Sequence, residues 1–195
     1  MSKPKASNPK ANTPKVPARC KIQYIKSKKG IKYLPWQYYN NFNLVTMPMV
    51  GKRPVIPRWN KITKTVHPGY TGDNIGILTG KINGITVLDI DTSDHGVEHW
   101  DLVASFHPKI NTPMVVSPSG IHLYFKYNTN LRTTNRINVN SQKIGWDVRN
   151  NDAIVVAPPS GNADSKYTWV VSLESTKFKA MPRWLVNYIT QHTKQ

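Results

Sequence analysis

The sequence predicts an α+β domain built on a mainly antiparallel sheet. Short β-branched runs outnumber helical stretches, and Gly, Pro and Asn turns separate them. Clear helical spacing is confined to a few segments. At 195 residues the chain is long enough for one domain with a real core and short for two.

Residues 1–33, rich in Lys, Pro, Asn and Ser, read as a basic and largely disordered arm, because too little apolar surface offsets the entropy of ordering. The folded domain is expected over 34–195. "YLPWQYYNNF" brings the first aromatics and a short helix. "VTMPMVGKRPVIPRW" reads as two short extended segments around Gly51, with prolines that suit edge strands. "NIGILTG" and "GITVLDID" are strands, and the Asn83-Gly84 pair between them predicts a hairpin. "HGVEHWDLVASF" has helical apolar spacing, and "TPMVVSPSGIHLYFKY" reads as strand, turn, strand. Residues 128–142 are polar and loop-like. "IGWDVRN", "AIVVAPPSG" and "YTWVVS" supply further strands, and "PRWLVNYITQHT" closes the chain as a helix with Pro182 in its first turn.

Charge narrows the function. Residues 1–72 hold fifteen Lys and Arg and no acid, whereas residues 73–195 hold twelve Lys and Arg and all ten acids, so the two parts contribute +15 and +2. That asymmetry suits a polyanionic partner, nucleic acid first. No apolar run approaches the ~18 residues of a membrane span, and no apolar signal core follows Met1. The expectation is an intracellular protein with no membrane partner. Cys20 stands alone, which excludes disulfides within the chain and zinc sites built on cysteine.

Three strand-borne groups carry chemistry. In a strand, residues i and i+2 share a face, so Asp89 and Asp91 project together while Leu88 and Ile90 point into the packed side. Paired carboxylates on a buried-type strand repel unless a cation sits between them, and Mg²⁺ or Mn²⁺ fits oxygen ligands of this kind. The alternative is two ordinary turn formers at an exposed strand end. His122 follows the Ser-Pro-Ser-Gly turn and shares a face with Tyr124. Asp147 and Arg149 again stand at i and i+2, either as a simple ion pair or as a third metal ligand beside a phosphate-binding guanidinium.

Taken together, D-I-D at 89–91, S-G-I-H at 119–122 and G-W-D-V-R at 145–149 resemble, in order, the three motifs of archaeo-eukaryotic primases. More narrowly they resemble the N-terminal primase-polymerase domain of plasmid, phage and large-virus replication proteins. "NIGILTG", "KRPVIPRW" and "VVAPPSG" followed by "YTW" extend the likeness over roughly residues 35–190. The resemblance implies an RRM-like sheet joined to a small N-terminal α/β unit. It implies template-directed nucleotidyl transfer, with Asp89, Asp91 and Asp147 holding two divalent ions, Mg²⁺ or Mn²⁺. His122 and Arg149 would meet the triphosphate, and Ser119 and Gly120 would shape the nucleotide-binding turn. The motif is described as small-x-His, which makes Gly120 the small residue and leaves the Ser119 hydroxyl without an assigned role. The implied partners are a single-stranded DNA template, a primer and (d)NTPs, and a replicative helicase on a separate or longer chain. Lys52, Arg53 and Arg58 lie on the basic side where a nucleic-acid backbone would run.

Competing readings are a metal-dependent nuclease and a non-catalytic single-strand-binding module. A module of that kind needs exposed aromatics on its sheet face, where this chain offers carboxylates. His95 and His99 lack a third ligand at metal-site spacing. Ser119, His122 and Asp147 lack the strand-Ser-helix elbow of a hydrolase, and no G-x-x-x-x-G-K-[ST] phosphate loop occurs.

Overall fold

The computed structural model describes residues 25–65, 73–162 and 164–193. In chain order the elements are β1 (Ile25–Lys26), β2 (Lys32–Tyr33), α1 (Pro35–Asn40), β3 (Thr46–Val50), β4 (Arg53–Pro54), β5 (Asn74–Leu78) and β6 (Ile85–Asp91). Then come α2 (Gly96–Ser105), β7 (Met114–Ser117), β8 (Gly120–Lys126), β9 (Ile137–Val139), β10 (Gln142–Ile144) and β11 (Trp146–Arg149). The last three are β12 (Ile154–Ala157), β13 (Thr168–Val171) and α3 (Arg183–Thr193).

Two sheets carry the fold. The larger has the order β11-β6-β8-β7-β13 and the smaller β12-β5-β3-β4, and every pairing within them is antiparallel. Numbered from β6 among its own strands, the large sheet runs 4-1-3-2, the RRM-like order, with β13 added at one edge. The smaller sheet, α1 and the β1–β2 ribbon form the N-terminal unit, which borrows β12 from late in the chain.

Strand alternation explains how the layers stack. Leu88, Ile90, Leu123, Phe125, Trp146 and Val148 face one way and share a core with Leu185 and Ile189 of α3, flanked by Val97, Trp100 and Val103 of α2. Val87, Val115 and Tyr124 face the other way and pack with Tyr38, Tyr39, Met49, Ile77 and Val155 of the N-terminal unit. Trp146 is fully buried, and its indole N–H donates to the Gly96 carbonyl at 2.8 Å, pinning the start of α2 to the sheet.

Most predicted elements form where expected, with three differences. The Asn83-Gly84 turn does not make a hairpin. β5 and β6 exchange only the Gly80–Ile85 bridge and then enter different sheets. The Asn83 amide bonds the backbone of Val45 and Leu78, so the turn is a corner between sheets. Residues 128–142, read as loop, contain β9 and the start of β10. Of the basic arm, residues 1–24 lie outside the described residues. Residues 25–33 form the β1–β2 ribbon, with Ile25 buried against the N-terminal core.

Candidate active site

The large sheet places the predicted residues in one row. Asp89 in β6 sits directly opposite Asp147 in β11 on one side and His122 in β8 on the other. Two residues on, Asp91 lies opposite Gly120. Period-two alternation therefore puts two carboxylates, a histidine and a third carboxylate on the face that looks toward the N-terminal unit.

Hydrogen bonds and ion pairs fix this row. His122 Nε2 approaches Asp89 Oδ1 at 3.3 Å, and Arg149 Nε approaches Asp89 Oδ2 at 3.7 Å. Arg149 also pairs with Asp147 Oδ2 through one terminal nitrogen and with Asn135 Oδ1 through the other, at 2.9 Å. At the sequence level Asp147 and Arg149 left two roles open, and in the structure they form an ion pair. The Asp147 carboxylate takes a further bond from the Arg136 backbone N–H at 2.8 Å. Asp91 Oδ1 accepts from the Ser93 N–H at 3.2 Å.

Burial alone would raise the Asp89 pKa. The hydrogen bond and charge of His122, with Arg149 and Lys52, outweigh it and hold the carboxyl below its ordinary range. Asp89 is thus an ionised group in a half-enclosed site. His122 is 4% exposed, and its Nδ1 has no hydrogen-bond partner among the described residues.

The turn residues act through the backbone. Ser119 accepts from the Thr92 N–H at 2.6 Å through its carbonyl, which ties the β7–β8 turn to the end of β6. Gly120 is a packing requirement, since a Cβ there would fall 1.9 Å from the Ile90 carbonyl oxygen. The predicted cations separate. Lys52, in the β3–β4 turn, reaches Asp89 electrostatically. Arg53 is exposed beside it. Arg58 is exposed next to the short turn Trp59–Lys61, where Asn60 meets Asp152 beyond the other end of β5.

Two contributors escaped the sequence reading. Tyr167, buried, sets its ring 5.6 Å from that of His122, and its phenol is pushed up to about 12 by burial and then by Asp89 and Asp91. It borders a cavity of about 410 Å³ with Pro158, Pro159, Lys166 and Trp169. "YTW" marked this stretch only as a flank. The other is Arg136, whose polar surroundings carry no periodic signal.

Among the described residues no group of three His, Cys, Asp or Glu side chains is arranged as a ready metal cage. Asp147 pairs with Arg149 through Oδ2, and Asp91 accepts from the Ser93 amide. The donor chemistry nevertheless suits a hard divalent cation. All three carboxylates supply oxygen, Asp89 is held ionised, and the strands that carry Asp89 and Asp147 are adjacent.

An RRM-like sheet bearing an Asp-x-Asp strand, a strand histidine and a third aspartate on neighbouring strands places the chain among primase-polymerase catalytic domains. The family model of the bifunctional DNA primase/polymerase N-terminal domain matches residues 35–184, and the chain belongs to that family. At this level it is a DNA primase/polymerase domain of nucleotidyltransferase type, acting on DNA and nucleotides in replication. No curated protein matches it. Among the described residues no helix is long and apolar enough to cross a membrane.

Proposed function

We propose that this domain makes or extends primers by template-directed transfer of nucleotides from (d)NTPs, with Asp89, Asp91 and Asp147 holding Mg²⁺ or Mn²⁺. The observation that carries the reading is the Asp147–Asp89–His122 row across three adjacent strands, in which Asp89 is kept ionised.

Two divalent ions, when bound, would stabilise the attacking 3′-oxygen and the departing pyrophosphate. The protein's own groups do the rest. Asp89 is deprotonated before any ligand arrives, so no proton need leave for it to act as a ligand. His122, held against Asp89 and backed by the Tyr167 ring, is the group that would turn Nε2 from Asp89 to a triphosphate oxygen. Arg149 bridges Asp89 and Asp147, and its guanidinium is the group that would turn from these carboxylates to the triphosphate. Ser119 and Gly120 shape this side of the site by holding the β7–β8 turn against β6. Lys52 adds positive charge on the N-terminal side, where a template or primer backbone would lie, with Arg53 beside it and Arg58 further along. A replicative helicase, on a separate or longer chain, would be the functional partner.

The test is the product formed on a labelled primer annealed to a single-stranded template, with Mg²⁺ or Mn²⁺. Lengthening that depends on added nucleotides supports the reading. Shortening with metal alone would assign the site to a nuclease, and binding without either product would leave a binding module.

A further inference from the structure

Arg136 lies outside all three sequence motifs, yet it makes the densest set of polar contacts at the site. Its backbone N–H donates to Asp147 Oδ1 at 2.8 Å, and a terminal nitrogen lies 3.5 Å from the same oxygen. Its Nε pairs with Asp94 Oδ2 at 2.8 Å, and its other terminal nitrogen donates to Ser93 Oγ at 2.7 Å. Asp94 is exposed and takes this guanidinium as its partner. The residue adopts φ 58°, a left-handed conformation uncommon outside glycine, which lets backbone and side chain serve the same cluster.

Ser93 and Asp94 belong to the segment that leaves β6 directly after Asp91. The Ser93 N–H holds Asp91 Oδ1, the Asp91 N–H donates to the Gly145 carbonyl at 2.7 Å, and the Gly145 N–H donates to the Asp94 carbonyl at 3.1 Å. One guanidinium therefore ties the segment that orients Asp91 to the carboxylate of Asp147. These two aspartates stand on paired strands, β6 and β11, whose ladder sets their backbones but not how their carboxylates are turned. A side chain bonded to both surroundings fixes their spacing in a way that strand pairing alone does not.

We propose that Arg136 is a positioning residue, which sets Asp147 relative to Asp91 and so tunes the divalent-cation affinity of the carboxylate set. The inference rests on the metal reading above. Groups that orient ligands in this manner change metal affinity about 10- to 100-fold when removed.

The experiment is a calorimetric Mn²⁺ titration of the whole chain, read without turnover. Arg136→Ala is expected to weaken Mn²⁺ binding about tenfold. Asp94→Asn, which removes only the outer anchor and is the milder change should Arg136→Ala fail to fold, is expected to weaken it about threefold. Asp147→Asn is expected to weaken binding, and adding Arg136→Ala to it to do no further harm, because Arg136 acts through Asp147. Weakened binding in Asp147→Asn with unchanged binding in folded Arg136→Ala, or in Asp94→Asn, overturns the role of Arg136 alone. Unchanged binding in Asp147→Asn overturns the metal reading and this inference with it.

Discussion

Gly120→Ala tests how the site is held. Gly120 pairs with Asp91 across β6 and β8, and a Cβ at this position would come 1.9 Å from the Ile90 carbonyl oxygen and 3.1 Å from the Asp91 Cα. Both are backbone atoms, so no side chain can rotate away. An ordinary carbon–oxygen contact needs about 3.3 Å, and the strands must therefore part by roughly 1 Å or more at this rung. That displacement stretches the neighbouring ladder bonds and the Ser119–Thr92 tie, losing two or three hydrogen bonds at about 1 kcal/mol each. The expected loss is about 3 kcal/mol, or a Tm lowered by about 6–12 °C for a chain of this size. Thermal unfolding by circular dichroism reads the loss. The same shift moves His122 away from Asp89, so nucleotide incorporation should fall more than the folded fraction does. A Tm within 2 °C of the parent would refute the steric argument.

Asn150, fully buried, donates to the carbonyls of Asn128 and Leu131 at 2.9 and 2.5 Å and accepts from Thr86 at 3.1 Å. Asn150→Ala should cost about 3 kcal/mol in urea unfolding, and a loss below 1 kcal/mol would contradict that count. The Asp89 carboxyl lies below its ordinary value of 3.8, so its contribution to stability is present above that value and fades as pH falls through the lower, folded-state value. The stability difference between parent and Asp89→Asn should shrink from pH 5 to pH 2, and parallel curves would count against an ionised, paired Asp89. Tyr38, Tyr39, Tyr124 and Tyr167 are all raised by burial first. An alkaline absorbance titration of the folded protein to pH 11 should leave these four protonated, and complete titration of all nine tyrosines while the fold persists would contradict the packing.

The site was legible as far as strand periodicity reaches. Asp89 with Asp91, His122 with Tyr124 and Asp147 with Arg149 each share a face because alternate residues do, whatever the surroundings. Which strands neighbour one another is a different matter. Asp147 stands opposite Asp89 only because β11 returns to the edge of β6, and no local signal near either residue encodes that pairing. The Asn83-Gly84 turn misled for a related reason. Turn chemistry reports a reversal of the chain, whereas Asn83 bonds to Val45 and Leu78 and sends the next strand into another sheet. Arg136 and Tyr167 act through tertiary contacts, the first from a polar stretch and the second from a strand flank. The Arg136–Asp94 pair joins segments more than forty residues apart in sequence, so no local pattern marks it.

In the proposed reaction, Asp89 and Asp91 on β6 hold the metal on which nucleotide addition depends. The most direct measurement compares the parent with an Asp89→Ala, Asp91→Ala double variant on a single-stranded template, with labelled nucleotides and Mg²⁺ or Mn²⁺, after matching the two for folded fraction. Template-dependent products from the parent and none from the double variant are the predicted result. Full primer synthesis or extension by the double variant would contradict it.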